Sequence, residues 1–507
     1  MHSSRFKDIQ HKEIFEYLSN INQEAYKDIH LLSNQVLSKN PISNTFFEDY
    51  IENKSIKPFK IFQIYIKIVA YYIKSILLYF QYLNQKLVYL LSKQKFDLKN
   101  VNDEIIIIDV IFLMNSSIKN NEYFYDYFNG LNKILDKRKI NYAFLPMFFS
   151  NVSLYKFYKI LKTIKNIRLP VLTEFQLLSF TQLFELFYFI ITYPIHVLKF
   201  IHRLNNNKMN LFLKYELLKC LDQVTFPSFT HYLKGKNLSS ISCNRIKVLS
   251  KYENQTSDKN YYKGLRSGKT DVFIYGCQLF IYPFSLLNLN IDINEISHGI
   301  VPDKIIVNGD YYLYEDKRIN LIVGPSFRHK YIFNNCYDNY SKNNLLILLP
   351  YMQAESLSIL QIVDDINYTN GDIIIKFHPT SNKHEYDQLK FNNAKISNES
   401  VSKLLKSTKI VISNESGTLV EAVSCGIPAI VISNTGKYLH NPLPELGRGI
   451  MWDIAVCAGD VNKLITKFQY FLINDNAKLL KYSEKYKEMF FCNPTEDKII
   501  ETFDLLN

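Results

Sequence analysis

Residues 410–432 read Ile-Val-Ile-Ser-Asn-Glu-Ser-Gly-Thr-Leu-Val-Glu-Ala-Val-Ser-Cys-Gly-Ile-Pro-Ala-Ile-Val-Ile. A short, unalternating, β-branched run such as the one that opens this segment suits a strand buried on both faces of a parallel sheet. Small polar residues end that strand, the spacing predicts a helix starting at Gly417 or Thr418, Gly426 stops it, and Pro428 leads into the next strand. A strand–helix–strand unit of this kind commits the chain to an α/β fold with crossover connections.

The same rhythm extends to either side. Strands are expected at 345–349, 372–376, 409–413 and 429–432, with helices at 355–366, 383–389, 418–425 and 460–473. Earlier in the chain, Glu104–Leu113 reads as a buried strand, followed by a helix at 123–138, a strand at 141–146, and further strands at 271–275 and 304–307. Residues 1–100 read as helical, with no glycine before Gly130, and an Asn/Ser/Lys-rich linker is expected at 334–344. The organisation expected is a helical region at 1–100, an α/β lobe at 101–335 with an apolar helical insertion at about 171–203, and a second α/β lobe at 336–507. Two such lobes would place a cleft at the carboxyl ends of their strands.

At 507 residues and 47% hydrophobic content the chain is long and apolar enough for two or three cored domains. The formal charge of +12 comes from lysines spread along the whole chain in a composition rich in Lys, Ile and Asn, which reads as codon bias. Nucleic acid is therefore not expected as a partner, since that needs basic residues gathered on one face with stacking aromatics. The seven cysteines are an odd number with no C-x-x-C pair, so neither a disulfide framework nor structural zinc is expected. The polar N-terminus has no apolar signal run, so the protein is expected to stay in the cytoplasm.

Two stretches bear on membranes. From Lys60 to Leu91 the chain is almost wholly apolar, but Lys60, Lys67, Lys74 and Gln81 recur every seven residues as a narrow polar stripe. In 175–201, Pro194 interrupts the uncharged run between Glu185 and Lys199, so neither stretch is expected to span a bilayer. The preferred reading is a pair of buried helices, and the alternative is docking on the cytoplasmic face of the inner membrane.

Two segments carry chemistry. A helix beginning at Gly417 or Thr418 offers backbone N–H groups and a positive dipole end to a phosphate, with hydroxyls from Ser416 and Thr418, while Glu421 one turn on could accept from ribose hydroxyls. The same residues also suit an ordinary capped helix, and the segment alone does not choose. In Ile373-Ile374-Ile375-Lys376-Phe377-His378-Pro379-Thr380, Lys376 and His378 are two apart on an extended strand and face one side, with Pro379 fixing the exit. Together they can set a cation and an imidazole on a diphosphate.

A Lys-x-His-Pro strand end followed by Ser-x-x-Ser-Gly-Thr-x-x-Glu-Ala-x-x-x-Gly-x-Pro resembles the donor-binding lobe of GT-B-fold glycosyltransferases of bacterial surface polysaccharides. The pattern is most similar to capsule polymerases of the polysialyltransferase kind, Kdo-type capsule-linker transferases and CDP-glycerol glycerophosphotransferases, and it covers roughly 340–470. The resemblance implies a GT-B-like α/β fold whose C-terminal lobe binds a nucleotide-activated sugar through Lys376, Pro379, Glu415, Ser416, Gly417, Thr418 and Glu421, with His378 aiding departure of the leaving group. It also implies an acceptor-side first lobe and a glycan or lipid-linked acceptor. Weaker echoes lie earlier: Glu253-Asn254, Gly264-Leu265-Arg266 and Gly276-Cys277-Gln278 are similar to an E-N, G-x-R, G-x-Q pattern of surface-carbohydrate proteins, and Ser297–Pro302 to an H-G-x-x-P stretch. From these, Glu253 is the candidate base for the acceptor hydroxyl, and His298 and Arg328 are candidates to face the donor phosphates. A surface Glu capping a helix is an equal reading of Glu253.

No D-x-D, H-E-x-x-H, Walker A or G-x-G-x-x-G motif is present, so no cofactor or metal is expected. Rival readings are a sugar-nucleotide 2-epimerase and a non-catalytic polysaccharide-assembly protein keeping the same fold.

Overall fold

The computed structural model describes residues 9–39, 50, 55–56, 59–97, 103–113, 118–119, 122–123, 127–149, 153–313, 316–334, 342–378, 381, 386, 393–435 and 439–505. The chain forms two compact units, the first from Met1–Leu279, Leu286–Ile306 and Tyr314–Ile322, the second from Phe280–Ser285, Val307–Leu313 and Val323–Asn507.

The first unit is built on a six-stranded sheet. Its strands are β1 (Glu104–Leu113), β4 (Tyr142–Phe149), β5 (Arg245–Lys251), β6 (Asp271–Gln278), β7 (Lys304–Val307) and β8 (Leu321–Val323), in the order β4-β1-β5-β6-β7-β8. A two-residue antiparallel pair, β2 (Ile118–Lys119) with β3 (Glu122–Tyr123), lies apart from it. β1 runs parallel to β4 and β5, and β5 to β6. The run Ile105–Ile108 is fully buried, as an unalternating apolar strand must be. The helix expected at 123–138 is shorter, Leu131–Lys137, because Tyr123 is taken up in the β2–β3 pair.

The second unit holds β9 (Asn344–Leu348), β10 (Ile373–Lys376), β11 (Ala394–Ile396), β12 (Thr408–Ser413), β13 (Ala429–Ile432) and β14 (Trp452–Ala455), in the order β11-β10-β9-β12-β13-β14. Every pairing in this sheet is parallel. Counted from β9 the order is 3-2-1-4-5-6, that of a doubly wound dinucleotide-binding sheet. Leu345, Ile347, Ile373, Ile375, Ile410, Ile412 and Ile430 fill one core with the helix Ala458–Asn474. The helix expected at 355–366 is Gln353–Leu360, and of the helix expected at 383–389 only Tyr386 is among the described residues. Of the expected linker, 335–341 lies outside the described residues.

The N-terminal helices Ile9–Lys27, Ile29–Leu32 and Ile61–Ser92 belong to the first unit. Behind them lies a buried charge network. Lys39 Nζ sits 2.9 Å from Asp292 and 3.2 Å from Glu295, Lys259 Nζ sits 2.9 Å from Glu295, and all four side chains are nearly or fully out of water. Asn254 Nδ2 and the Tyr26 hydroxyl add hydrogen bonds to Glu295 at 3.3 and 3.4 Å. Two cations matched by two carboxylates can stay charged in a core only because each is paired and hydrogen-bonded.

The helix Phe180–Arg203 continues through Pro194 without a break, and by length and composition alone it and Ile61–Ser92 could each cross a membrane. The expectation of two buried helices is corrected for Ile61–Ser92: its aliphatic face is the exposed one.

Candidate active site

In the second unit, β10 ends in Lys376, Phe377 and His378. Ile373, Ile375 and Phe377 point into the core, while Lys376 and His378 share the half-exposed face, as the two-residue period requires. The Tyr351 ring, just past β9, stands edge-on to His378 at 5.7 Å between centroids. Burial, then the charge of Lys376, lowers the His378 pKa, so its imidazole is neutral at pH 7 and can donate or accept one hydrogen bond. Pro379 lies outside the described residues.

β12 ends one strand beyond β9. Its Ser413 hydroxyl donates to the Leu348 carbonyl at 2.8 Å, stitching the two carboxyl ends together. Asn414 is buried, donates to Glu355 at 3.2 Å and accepts from the Glu415 amide at 2.6 Å. Glu415 accepts from the His440 amide at 2.9 Å, and the His440 ring meets the Ser285 hydroxyl at 2.8 Å. Glu415, Ser416, Gly417 and Thr418 form a half-exposed rim ahead of the helix Thr418–Ser424. Ser416 Oγ accepts from the Thr418 amide at 3.3 Å, the capping role that the sequence left open. A Cβ on Gly417 would sit 2.8 Å from the Ile281 carbonyl oxygen and 2.9 Å from Ile281 Cβ, so this glycine is required by a close backbone approach within the protein.

Glu421 is already engaged. It accepts from the Tyr331 hydroxyl and lies 3.6 Å from His329 Nε2. Burial would raise its pKa, but His329, Tyr331 and the nearby Arg328 outweigh it and hold the carboxylate below its ordinary value. His329 and Tyr331 were not singled out in the sequence; 90 residues separate Tyr331 from Glu421, and no local pattern announces the pairing. Arg328 is exposed on the short 3-10 turn Phe327–His329.

The structure thus gathers Lys376, His378, Glu415, Ser416, Gly417 and Thr418 at the carboxyl ends of β10 and β12, on either side of β9, about 10 Å apart at two strand spacings. Arg328 joins them only through Glu421. Glu253 and His298 belong to the first unit.

There, Glu253 follows β5, whose neighbour β1 marks the point where the strand order reverses. Its carboxylate accepts from Gln255 Nε2 at 2.6 Å and lies 3.8 Å from Lys251 Nζ. The next residue, Asn254, is fully buried at φ +52°, a left-handed conformation that asparagine tolerates better than most residues. The His298 ring is held by the Asn294 carbonyl at 2.8 Å and by the edge of Tyr26, and the glycine after it, Gly299, ends the helix at φ +66°. Arg266 donates to the Gly299 and Val301 carbonyls and pairs with Asp303, so the G-x-R and H-G echoes lock onto one another. A Cβ on Gly264 would sit 2.1 Å from the Tyr232 carbonyl oxygen, where the helices Phe226–Leu238 and Thr256–Leu265 meet backbone to backbone.

Asp258 accepts the amides of Glu253 and Gln255, each at 3.0 Å, and sets the Glu253 loop. Burial pushes its carboxyl up to about 6, against the pull of Lys251 and the two amides. A carboxyl whose native pKa exceeds its unfolded value adds stability that is full at low pH and is lost as pH rises through the native value. Asp258→Asn keeps an oxygen for both amides, so it is expected to gain on the wild type by roughly 1–3 kcal/mol between about pH 5 and about pH 8. Melting temperatures of both proteins across that range test this, and a pH-independent difference would refute it.

One group among the described residues has metal-ligand composition: Asp28, His30 and His196 bring their donor atoms within 4.8 Å of one another. The two rings stack at 3.9 Å and 12°, so their in-plane lone pairs run side by side and do not converge on one ion. Each Nδ1 instead faces its own Asp28 oxygen, at 3.2 Å for His30 and 2.7 Å for His196. This is a carboxylate clasped by two imidazoles, tying the N-terminal helices to Phe180–Arg203. It escaped sequence reading because 168 residues separate its members.

No protein-family model and no curated protein matches the chain. Among solved structures it is similar to a glycosyltransferase from Rickettsia africae ESF-5, at 13% identity over 80% of this chain and 98% of that one, with a TM-score of 0.42. It is similar also to the wall teichoic acid polymerase TagF, at 10% identity over 88% and 98% of the two chains and a TM-score of 0.36. A third similarity is to the UDP-GlcNAc 2-epimerase of Neisseria meningitidis bound to UDP-GlcNAc, at 10% identity over 80% and 100%, with a TM-score of 0.42.

Proposed function

We propose that the protein is a metal-independent glycosyltransferase of the GT-B type, acting in the cytoplasm. It would move a sugar or polyol phosphate from a nucleotide-activated donor to a surface polysaccharide or lipid-linked acceptor. The observation that carries this reading is the 3-2-1-4-5-6 order of the second sheet, with Lys376, His378 and the Glu415–Thr418 rim at the carboxyl ends of the strands around β9. In doubly wound sheets ligands bind outside those ends, where the order reverses.

The donor's phosphates would lie between the two strand ends. As the bond from the transferred group to the phosphate oxygen breaks, its electron pair stays on the nucleotide, where the Lys376 ammonium and the neutral His378 imidazole would each donate a hydrogen bond. Glu253 would take the proton of the acceptor hydroxyl as general base. Arg328, Glu421 and His298 take supporting roles at most, since Glu421 and the His298 ring already have protein partners.

The test is a thermal-shift series with CMP, CDP, UDP and GDP on wild type and His378→Ala. A ligand that binds only the folded state raises the apparent melting temperature. One nucleotide is expected to stabilise the wild type and to lose most of its effect in the variant; no shift with any of the four would refute the reading and favour a non-catalytic assembly protein.

A further inference from the structure

The helix Ile61–Ser92 is built inside out. Its buried residues are Tyr71, Ser75, Tyr79, Lys86, Tyr89 and Ser92, every one carrying a polar atom. The Tyr79 hydroxyl donates to the Leu183 carbonyl at 2.9 Å, and Lys86 donates to the Phe175 and Leu178 carbonyls. Of the seven-residue polar stripe, Lys67 and Lys74 reach Asp222, at 2.9 and 2.7 Å, while Lys60 and Gln81 stay exposed. What remains outside is mainly apolar, broken by the exposed Gln63, Gln81 and Asn84. Eleven large hydrophobic side chains of this helix, among them Phe62, Val69, Ile73, Leu77, Phe80 and Leu91, are 46–72% exposed.

The neighbouring helix extends this face. Phe180–Arg203 packs alongside, with Tyr72 donating to the Ile191 carbonyl at 2.9 Å and Phe187 touching Tyr79 at 5.7 Å between rings. It adds Phe180, Phe184, Phe187, Tyr188, Ile191 and Ile195, at 40–76% exposure. The two stripes together expose apolar surface on the order of 1,000 Å², well above the few hundred Å² usual on a soluble monomer.

We infer that this face docks in the interface of an anionic lipid bilayer, lying in it and not crossing it. Charge identifies the occupant. Ile61–Ser92 contains no Asp or Glu, and the helix Leu154–Asn166 that packs against it contains none either, while carrying Lys156, Lys159, Lys162 and Lys165. Lys156, Lys159 and Lys165 are exposed, next to the exposed Leu154 and Tyr155. Phe180–Arg203 contributes one exposed acid, Glu185, and the rest of the border is lysines and amphipathic aromatics, a balance that matches a headgroup region that is negative outside and hydrocarbon beneath. Crossing is ruled out by the other face of Ile61–Ser92. Its lysines and tyrosines are bound to Asp222 and to the carbonyls of the α/β unit, so lipid can reach one side of this helix only.

The test is cosedimentation of the full chain with vesicles of phosphatidylcholine alone and of phosphatidylcholine with phosphatidylglycerol. The wild type is expected to pellet with the anionic vesicles and to be released by salt. The variant Phe62→Ser/Val69→Ser/Phe80→Ser removes only exposed groups, so it should melt as the wild type does while losing at least tenfold in vesicle binding. Lys156→Gln/Lys159→Gln/Lys165→Gln should lose the preference for anionic lipid. Wild type that stays in solution with both vesicle types, or a serine variant that pellets unchanged, would overturn the inference. So would a wild-type dimer that the serine variant converts to monomer without any change in vesicle binding, since the face would then pair with a second copy of the chain.

Discussion

His378→Ala and Lys376→Met are each expected to slow release of the nucleotide from its activated donor by about 10²–10³-fold without unfolding the protein. The two halves of that expectation come from opposite faces of one strand. Ile373, Ile375 and Phe377 carry the packing of β10, and neither variant touches them. Lys376 and His378 occupy the half-exposed face, where truncation opens no cavity. In the proposed reaction they would meet charge that develops as the bond breaks, so the loss should fall on kcat more than on KM. A His378→Ala enzyme with wild-type kcat would remove this residue from the reaction. A variant impaired only in KM would make it a binding residue.

Glu295→Ala should cost about 3–5 kcal/mol of stability, the largest effect expected of any single substitution outside the apolar cores. Removing this carboxylate leaves Lys39 and Lys259 sharing Asp292, with the Tyr26 hydroxyl reduced to its long bond to Asp292 and Asn254 Nδ2 to its bond to the Asn288 carbonyl. For a domain of this size the melting temperature should fall by roughly 10 °C. The double variant Lys39→Met/Glu295→Leu removes one charge of each sign and leaves Lys259 beside Asp292, so it should cost less than Glu295→Ala alone. Urea unfolding of the three proteins decides the matter, and a loss under about 1 kcal/mol for Glu295→Ala would show the network to be dispensable.

Much of the fold was legible because buried parallel strands announce themselves. Glu104–Leu113, Lys304–Val307 and Ala429–Ile432 are almost wholly apolar and stand where the sequence put them. β5 was missed for the converse reason: Arg245, Lys247, Ser250 and Lys251 break its apolar run, although its centre is buried. The 3.6-residue period of Ile61–Ser92 identified which residues share a face but not which face turns inward. That sign is set by Asp222, more than 140 residues away, and by the carbonyls near Phe175. In the candidate site, the strand period was enough to place Lys376 beside His378. It could not show that Ile281 fills the space beside Gly417 or that Tyr331 and His329 hold Glu421, because those contacts belong to the tertiary fold.

The contact at Gly417 also determines where the chain can be cut. Ile281 reaches Gly417 from the short segment Phe280–Ser285, Ser285 meets His440, and the Tyr311 ring of Val307–Leu313 packs tilted on Phe490 at 4.3 Å between centroids. A fragment beginning at Val323 would contain all six strands of the second sheet yet lack both segments. It would leave the Gly417 rim without its backing and the Phe490 ring without the Tyr311 ring packed on it. The second unit is thus not a detachable cassette: it can be transplanted or expressed alone only if those two segments, from residues 280–285 and 307–313, travel with it.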